Sequence, residues 1–125
     1  MSELPAAAPR VLLLDQDVAL RQALCFSLPL DGYRVEAFGD PDRFSDHLDL
    51  AAHDAVIIGH APPAIHAAPL VERVRSKDQA SAILLTATHP TADLVRLAKR
   101  HRALLVEKPL LEDSLLQALQ SALAR

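Results

Sequence analysis

Along this chain, short apolar runs alternate with longer segments in which apolar positions recur every three or four residues. The first pattern is that of strands and the second that of amphipathic helices. Residues 11–15, 34–38, 55–59, 82–86 and 103–107 are the predicted strands. In 11–14, 55–58 and 82–85 the apolar residues are consecutive rather than alternating, which predicts cover on both faces of the sheet. Strands of this kind alternating with helices predict an α/β domain with a parallel sheet wound on both sides.

Helix limits follow from capping and breaking residues. Asp17 is a good N-cap for a first helix. Its stripe would be Leu20, Ala23, Leu24, Ser27 and Leu28, with Pro29 and the Asp31-Gly32 turn expected to stop it. A second helix is expected from Asp40 or Pro41, and a third through Leu70, Val71 and Val74. The fourth, opened by Thr91, should turn Leu94, Leu97, Ala98 and His101 inward and Arg96, Lys99 and Arg100 outward. A fifth should run from about residue 112 to 124. Five such βα units over residues 10–125 suit a flavodoxin-like, doubly wound sheet of strand order 2-1-3-4-5, with its crevice at the carboxyl ends of the strands. Residues 1–9, rich in Ala and Pro, read as a disordered lead-in to this one domain.

Composition narrows the functional classes. At 125 residues and 50% hydrophobic, the chain can bury one full core. A net charge of −3 offers no basic footprint, so direct nucleic-acid binding by this domain is not expected. The longest apolar runs fall far short of the roughly 18 to 20 residues that a membrane span needs. No basic segment precedes a long apolar one at the amino terminus, and a cytoplasmic location is expected. Cys25 is the single cysteine; it lies in a helical pattern with no Cys/His motif and reads as structural. Three glycines, none in a phosphate-binding spacing, and no nucleophile with its base at a strand end argue against an enzyme.

The residues at the predicted carboxyl edge form a specific set: Asp15, Gln16 and Asp17 after the first strand, Gly59 and His60 after the third, Thr86 after the fourth, and Lys108-Pro109 after the fifth. With the runs Leu14-Asp15-Gln16-Asp17, Asp54 to Gly59 with Pro63 four residues on, Ile83 to Ala87, and Val106-Glu107-Lys108-Pro109, the chain resembles the receiver domains of two-component response regulators over nearly all of residues 10–125. The resemblance implies a site in which an acidic pair and a strand-terminal aspartate hold Mg²⁺. The aspartate would take the phosphoryl group, and a Thr or Ser and a Lys would stabilise the product. Such chemistry needs a carboxylate nucleophile, a hard cation with oxygen ligands and donors to the phosphoryl oxygens. Carried over, the first acid is Asp15, the hydroxyl Thr86 and the ammonium Lys108, and the Lys108-Pro109 bond is cis.

The departures bear most on function. The acceptor position is Gly59 and the second acid is Gln16, so two of three metal-ligating carboxylates are missing and Mg²⁺ binding should be weak or absent. The aromatic switch position falls at Leu105, and the Gly-Ala pair before the fifth strand is replaced by His101-Arg102. These departures imply a pseudo-receiver: an interaction and regulatory module that signals without phosphorylation, with Lys108 paired to Asp15 as a structural ion pair. In many relatives such a segment is the amino-terminal part of a transcriptional regulator. The alternative is a ligand- or metal-sensing domain using the same crevice, with Asp15, His60 and His89 as candidate metal ligands. A third reading, phosphorylation at another residue such as His60, meets the objection that this side chain should point away from the crevice.

A partner surface is also legible. On the fifth helix Leu111, Leu115, Ala118, Leu119 and Ala122 span about 100° and suit the core, while Leu116 and Leu123 extend the stripe by roughly another 60°. Arg96, Lys99 and Arg100 lie beside them on the fourth helix, and Glu112 and Asp113 open the fifth. Basic and acidic patches flanking an apolar strip suit a two-fold dimer or a docked signalling or output domain.

Overall fold

Strands and helices alternate without exception in the computed structural model, which describes residues 7–50, 52–110 and 113–124. In chain order they are β1 (Arg10–Leu14), α1 (Val18–Leu30), β2 (Arg34–Phe38), α2 (Pro41–Leu50), β3 (Ala55–Gly59), α3 (Ala67–Lys77), β4 (Ala82–Ala87), α4 (Ala92–Arg100), β5 (Leu104–Glu107) and α5 (Ser114–Leu123). All strand pairs are parallel and the sheet order is β2-β1-β3-β4-β5. The three strands with consecutive apolar residues are the three central ones, and they are almost wholly buried. Edge strands β2 and β5 are only half-buried. No helix among the described residues is long and apolar enough to cross a membrane.

Alternate side chains of each strand enter two cores. Leu12, Leu14, Val56, Ile58, Ile83 and Leu85 pack with α2, α3 and α4 through residues such as Phe44, Val71 and Leu97. Val11, Leu13, Ala55, Ile57 and Leu84 pack with α1 and α5 through Leu28, Leu115 and Leu119. This parity also positions the site. Asp15, Gly59, Thr86 and Lys108 each continue the α1/α5-facing row of its strand, so they meet above that core at the carboxyl ends.

Helix ends obey local chemistry with two corrections. Asp17 caps α1 by accepting the Leu20 N–H, and Thr91 caps α4 by accepting that of Leu94. Asp40 accepts the Asp42 N–H at 3.0 Å, with Pro41 in the first helical position. Pro29, however, lies inside α1 and does not stop it. A proline in the last turn forfeits a single amide bond, and the helix ends instead where Gly32 takes φ +96°. There the N–H groups of Gly32 and Tyr33 return to the carbonyls of Pro29 and Leu28. Ala23, expected on the inner stripe, is exposed.

The second correction is at α4, where His101 is the half-buried C-cap and not a core residue. Arg102 follows at φ +56°, the left-handed position that glycine fits best. The Ala103 N–H returns to the Ala98 carbonyl, and the Arg102 side chain donates to Gln79 at the surface. In the expected lead-in, Ala8 is buried and its carbonyl accepts from Arg34, while the Pro9 carbonyl takes the Arg34 N–H. Leu111 and Glu112 lie outside the described residues.

Candidate functional site

At the crevice, Asp15 is buried and its Oδ2 receives Lys108 Nζ at 2.7 Å. Its Oδ1 accepts the Asp17 N–H at 2.9 Å, and its carbonyl accepts Arg21 Nη1 at 2.7 Å. Each carboxylate oxygen thus already accepts a hydrogen bond within the domain. Lys108 reaches it from β5 across 93 residues of sequence, with the Lys108-Pro109 peptide cis.

Gly59 ends β3 directly beside Thr86 in the register. A Cβ built on Gly59 would collide with Asp15 Oδ2, and would stand 2.9 Å from Asp15 Cγ and 3.3 Å from the Leu14 carbonyl oxygen. The Asp15 side chain therefore occupies the space in which a side chain at position 59 would begin. Thr86 is 1% exposed and its hydroxyl has no partner among the described residues. Gln16 is exposed. Of the three positions that would supply metal oxygens, one carries a carboxylate, and it is buried and already bonded. This donor set does not fit Mg²⁺, which binds through carboxylates left free to take it.

Leu105, the expected switch position, lies on the other face of β5, half-buried against the α2/α3/α4 core. It is held by packing alone. His60 has the same opposite parity: its Nδ1 accepts the Ala67 N–H at 3.1 Å at the start of α3. Its ring meets that of His66 edge-on at 6.4 Å. Burial, reinforced by His66, holds the His60 imidazole below its ordinary pKa. His89 is exposed in the loop after β4. The set Asp15, His60 and His89 is not brought together, and no group of three or more His, Cys, Asp or Glu side chains among the described residues could hold a metal ion.

The expected partner surface is altered. Arg96 pairs with Asp93 within α4, Lys99 and Arg100 are exposed, and Asp113 is exposed at the start of α5. Leu116 and Leu123 are half-buried against the α1/α5 core rather than standing clear of it. Among the described residues, the large exposed apolar side chains of the α1/α5 face are instead on α1: Val18, Phe26 at 74% and Leu30 at 75% exposure. Cys25 is exposed beside them. Periodicity could have found Phe26, since two residues from Leu24 is about 200° around a helix.

No protein-family model matches the chain. It is 27% identical over 114 residues to the transcriptional regulatory protein FixJ of Bradyrhizobium diazoefficiens, covering 90% of this chain and 56% of that protein. It is 32% identical over 87 residues to the transcriptional regulatory protein AfsQ1 of Streptomyces coelicolor, covering 70% of this chain and 39% of that one. The chain thus spans about half, or less, of the length of these curated relatives. Among solved structures, the chemotaxis protein CheY4 of Vibrio cholerae superposes with a TM-score of 0.82 at 26% identity, over 93% of this chain and 99% of that one. The chain carries a receiver domain of the kind found in two-component response regulators.

Proposed function

We propose that this receiver domain signals without phosphorylation, as a protein-interaction module whose state is set by its partner. One observation carries the reading: at Gly59, the position that the resemblance gives to the acceptor, the space for a side chain holds the Asp15 carboxylate, tied to Lys108 at 2.7 Å. Acyl phosphate formation needs an accessible carboxylate nucleophile and a cation to offset the phosphate charge. Here the Asp15 carboxylate is buried and its charge is already balanced by Lys108. Thr86 and Lys108, which would steady a phosphoryl group, have no acceptor to serve.

The setting proposed is a cytoplasmic signalling pathway, with the partner either a signalling protein, the output region of a longer regulator or a second copy of the domain. The names of the two curated relatives support a regulatory setting, and the apolar face of α1 supports an interaction role. Incubation with acetyl phosphate and Mg²⁺ followed by intact mass measurement is expected to show no added phosphoryl group. Beryllofluoride is expected to leave the amide NMR spectrum unchanged. A mass increase mapping to a residue of the crevice would overturn the proposal.

A further inference from the structure

At the opposite end of the sheet, where β4 and β5 begin, lies a cavity of about 530 Å³. That volume is within the range of small-molecule sites, roughly 300 to 1,000 Å³. Arg75, Lys99 and Arg102 line it, and none of the residues lining it is acidic. Ile83, Ala98 and Ala122 supply apolar wall. Ser81, also in the lining, is 3% exposed, and its hydroxyl has no partner among the described residues.

Arg75 organises this end. It is buried, donating through Nε to the His101 carbonyl at 2.8 Å and through Nη1 to that of Ser81 at 2.6 Å. The same Nη1 reaches the carbonyls of Asp78 and Gln79. Nε and Nη1 are thereby committed to backbone carbonyls, and what Arg75 lends the cavity is its charge. Among the described residues no carboxylate forms an ion pair with Arg75: the Asp78 side chain accepts the Ala80 N–H instead. The Arg102 side chain donates to Gln79, and the Lys99 side chain makes no hydrogen bond or ion pair among the described residues. Burial and the Arg102 charge work against the Arg75 cation while the Asp78 charge favours it; a bound anion would relieve the repulsion between the two guanidinium groups.

We infer that this cavity is a second binding site, taking a small organic phosphate monoester: a dianionic head against Lys99 and Arg102, with the buried Arg75 charge behind them, and a compact apolar body against Ile83, Ala98 and Ala122. Guanidinium groups recognise phosphate oxygens through directed, charge-assisted bonds. The Ser81 hydroxyl lies buried behind this lining. The site is independent of the crevice at Asp15 and of any phosphorylation there.

The test is an amide NMR titration of the whole chain with phenyl phosphate, inorganic phosphate and benzoate. Phenyl phosphate is expected to give saturable shifts centred on Ser81, Arg102 and Ala103. Benzoate, with one charge, and inorganic phosphate, with no apolar body, should each bind about ten-fold more weakly, a difference of about 1.4 kcal/mol. Lys99→Ala combined with Arg102→Gly should weaken phenyl phosphate by at least about ten-fold. That variant keeps its fold, because glycine suits the φ of position 102. Shifts that do not saturate, that survive the double substitution, or that are as strong with benzoate or inorganic phosphate would overturn the inference.

Discussion

Gly59 has an ordinary negative φ, since Gly32 is the glycine with a positive one among the described residues. Its lack of a side chain therefore matters for space and not for backbone freedom. Gly59→Ala would force the Asp15 carboxylate off its contact with Lys108, and should destabilise the domain by about 1 to 3 kcal/mol. Denaturant unfolding checks it, and an unchanged midpoint would refute the close approach. The pair itself should respond unequally. Lys108→Met strands a buried carboxylate and should cost about 3 kcal/mol, whereas Asp15→Asn leaves an ammonium that can still reach water and should cost less. Restoring an acceptor by Gly59→Asp with Gln16→Asp would recover Mg²⁺ binding only if Asp15 swings out of the way. His60 supplies a pH response. Because burial and His66 lower its proton affinity in the folded chain, the unfolded chain binds more protons just below the ordinary value of 6.5. Stability should then be full above pH 6.5 and fall as the pH drops below it. Protonation at Nδ1 would also remove the acceptor for the Ala67 N–H. Thermal melts from pH 7.5 to 5.5 should show a shallower loss for His60→Ala than for the unsubstituted chain, and parallel slopes would refute this role.

At the scale of elements, the ends of α1 and α4 have the same geometry with different residues. Both close on a residue of positive φ whose successor donates back to the helix, but the first uses Gly32 and the second Arg102. A non-glycine residue in that region costs on the order of 1 kcal/mol. Its surface hydrogen bonds to Gln79 return little of this. Arg102→Gly should therefore raise stability by about 0.5 to 1 kcal/mol, while Arg102→Ala, which keeps the strain and loses the contacts, should lower it. Equal midpoints for the two variants would contradict the strain. Gly32 was legible as a helix stop because it follows an aspartate in a turn pair. Arg102 was legible only as a departure from resemblance, because no local rule announces a left-handed arginine.

For the whole molecule, the unequal covering of the two faces of the sheet sets where a partner can bind. Phe26 and Leu30 stand clear of the α1/α5 core, whereas Leu116 and Leu123 pack against it. Leu116→Glu with Leu123→Glu should therefore destabilise the domain by about 1 to 3 kcal/mol, whatever it does to association. Phe26→Glu should leave stability within about 0.5 kcal/mol and weaken any self-association through α1. Sedimentation at high concentration together with thermal melts separates these outcomes. A stable variant from the leucine pair would show that α5 is freer than its packing indicates.

The hydrophobic pattern alone determined the order of elements, the parallel sheet and the centrality of the three strands with consecutive apolar residues. These properties follow from local periodicity and from the need of each apolar face for cover. Resemblance located Asp15, Gly59, Thr86 and Lys108 at one crevice, and strand parity accounts for their meeting there. Three features lay beyond both. The Asp15 side chain fills the space over Gly59, Leu116 and Leu123 fold back onto the core, and Arg75, Ser81, Lys99 and Arg102 gather at the far edge of the sheet. Each depends on distances between residues remote in sequence, set by the packing of helices on the sheet, which no pattern along the chain encodes.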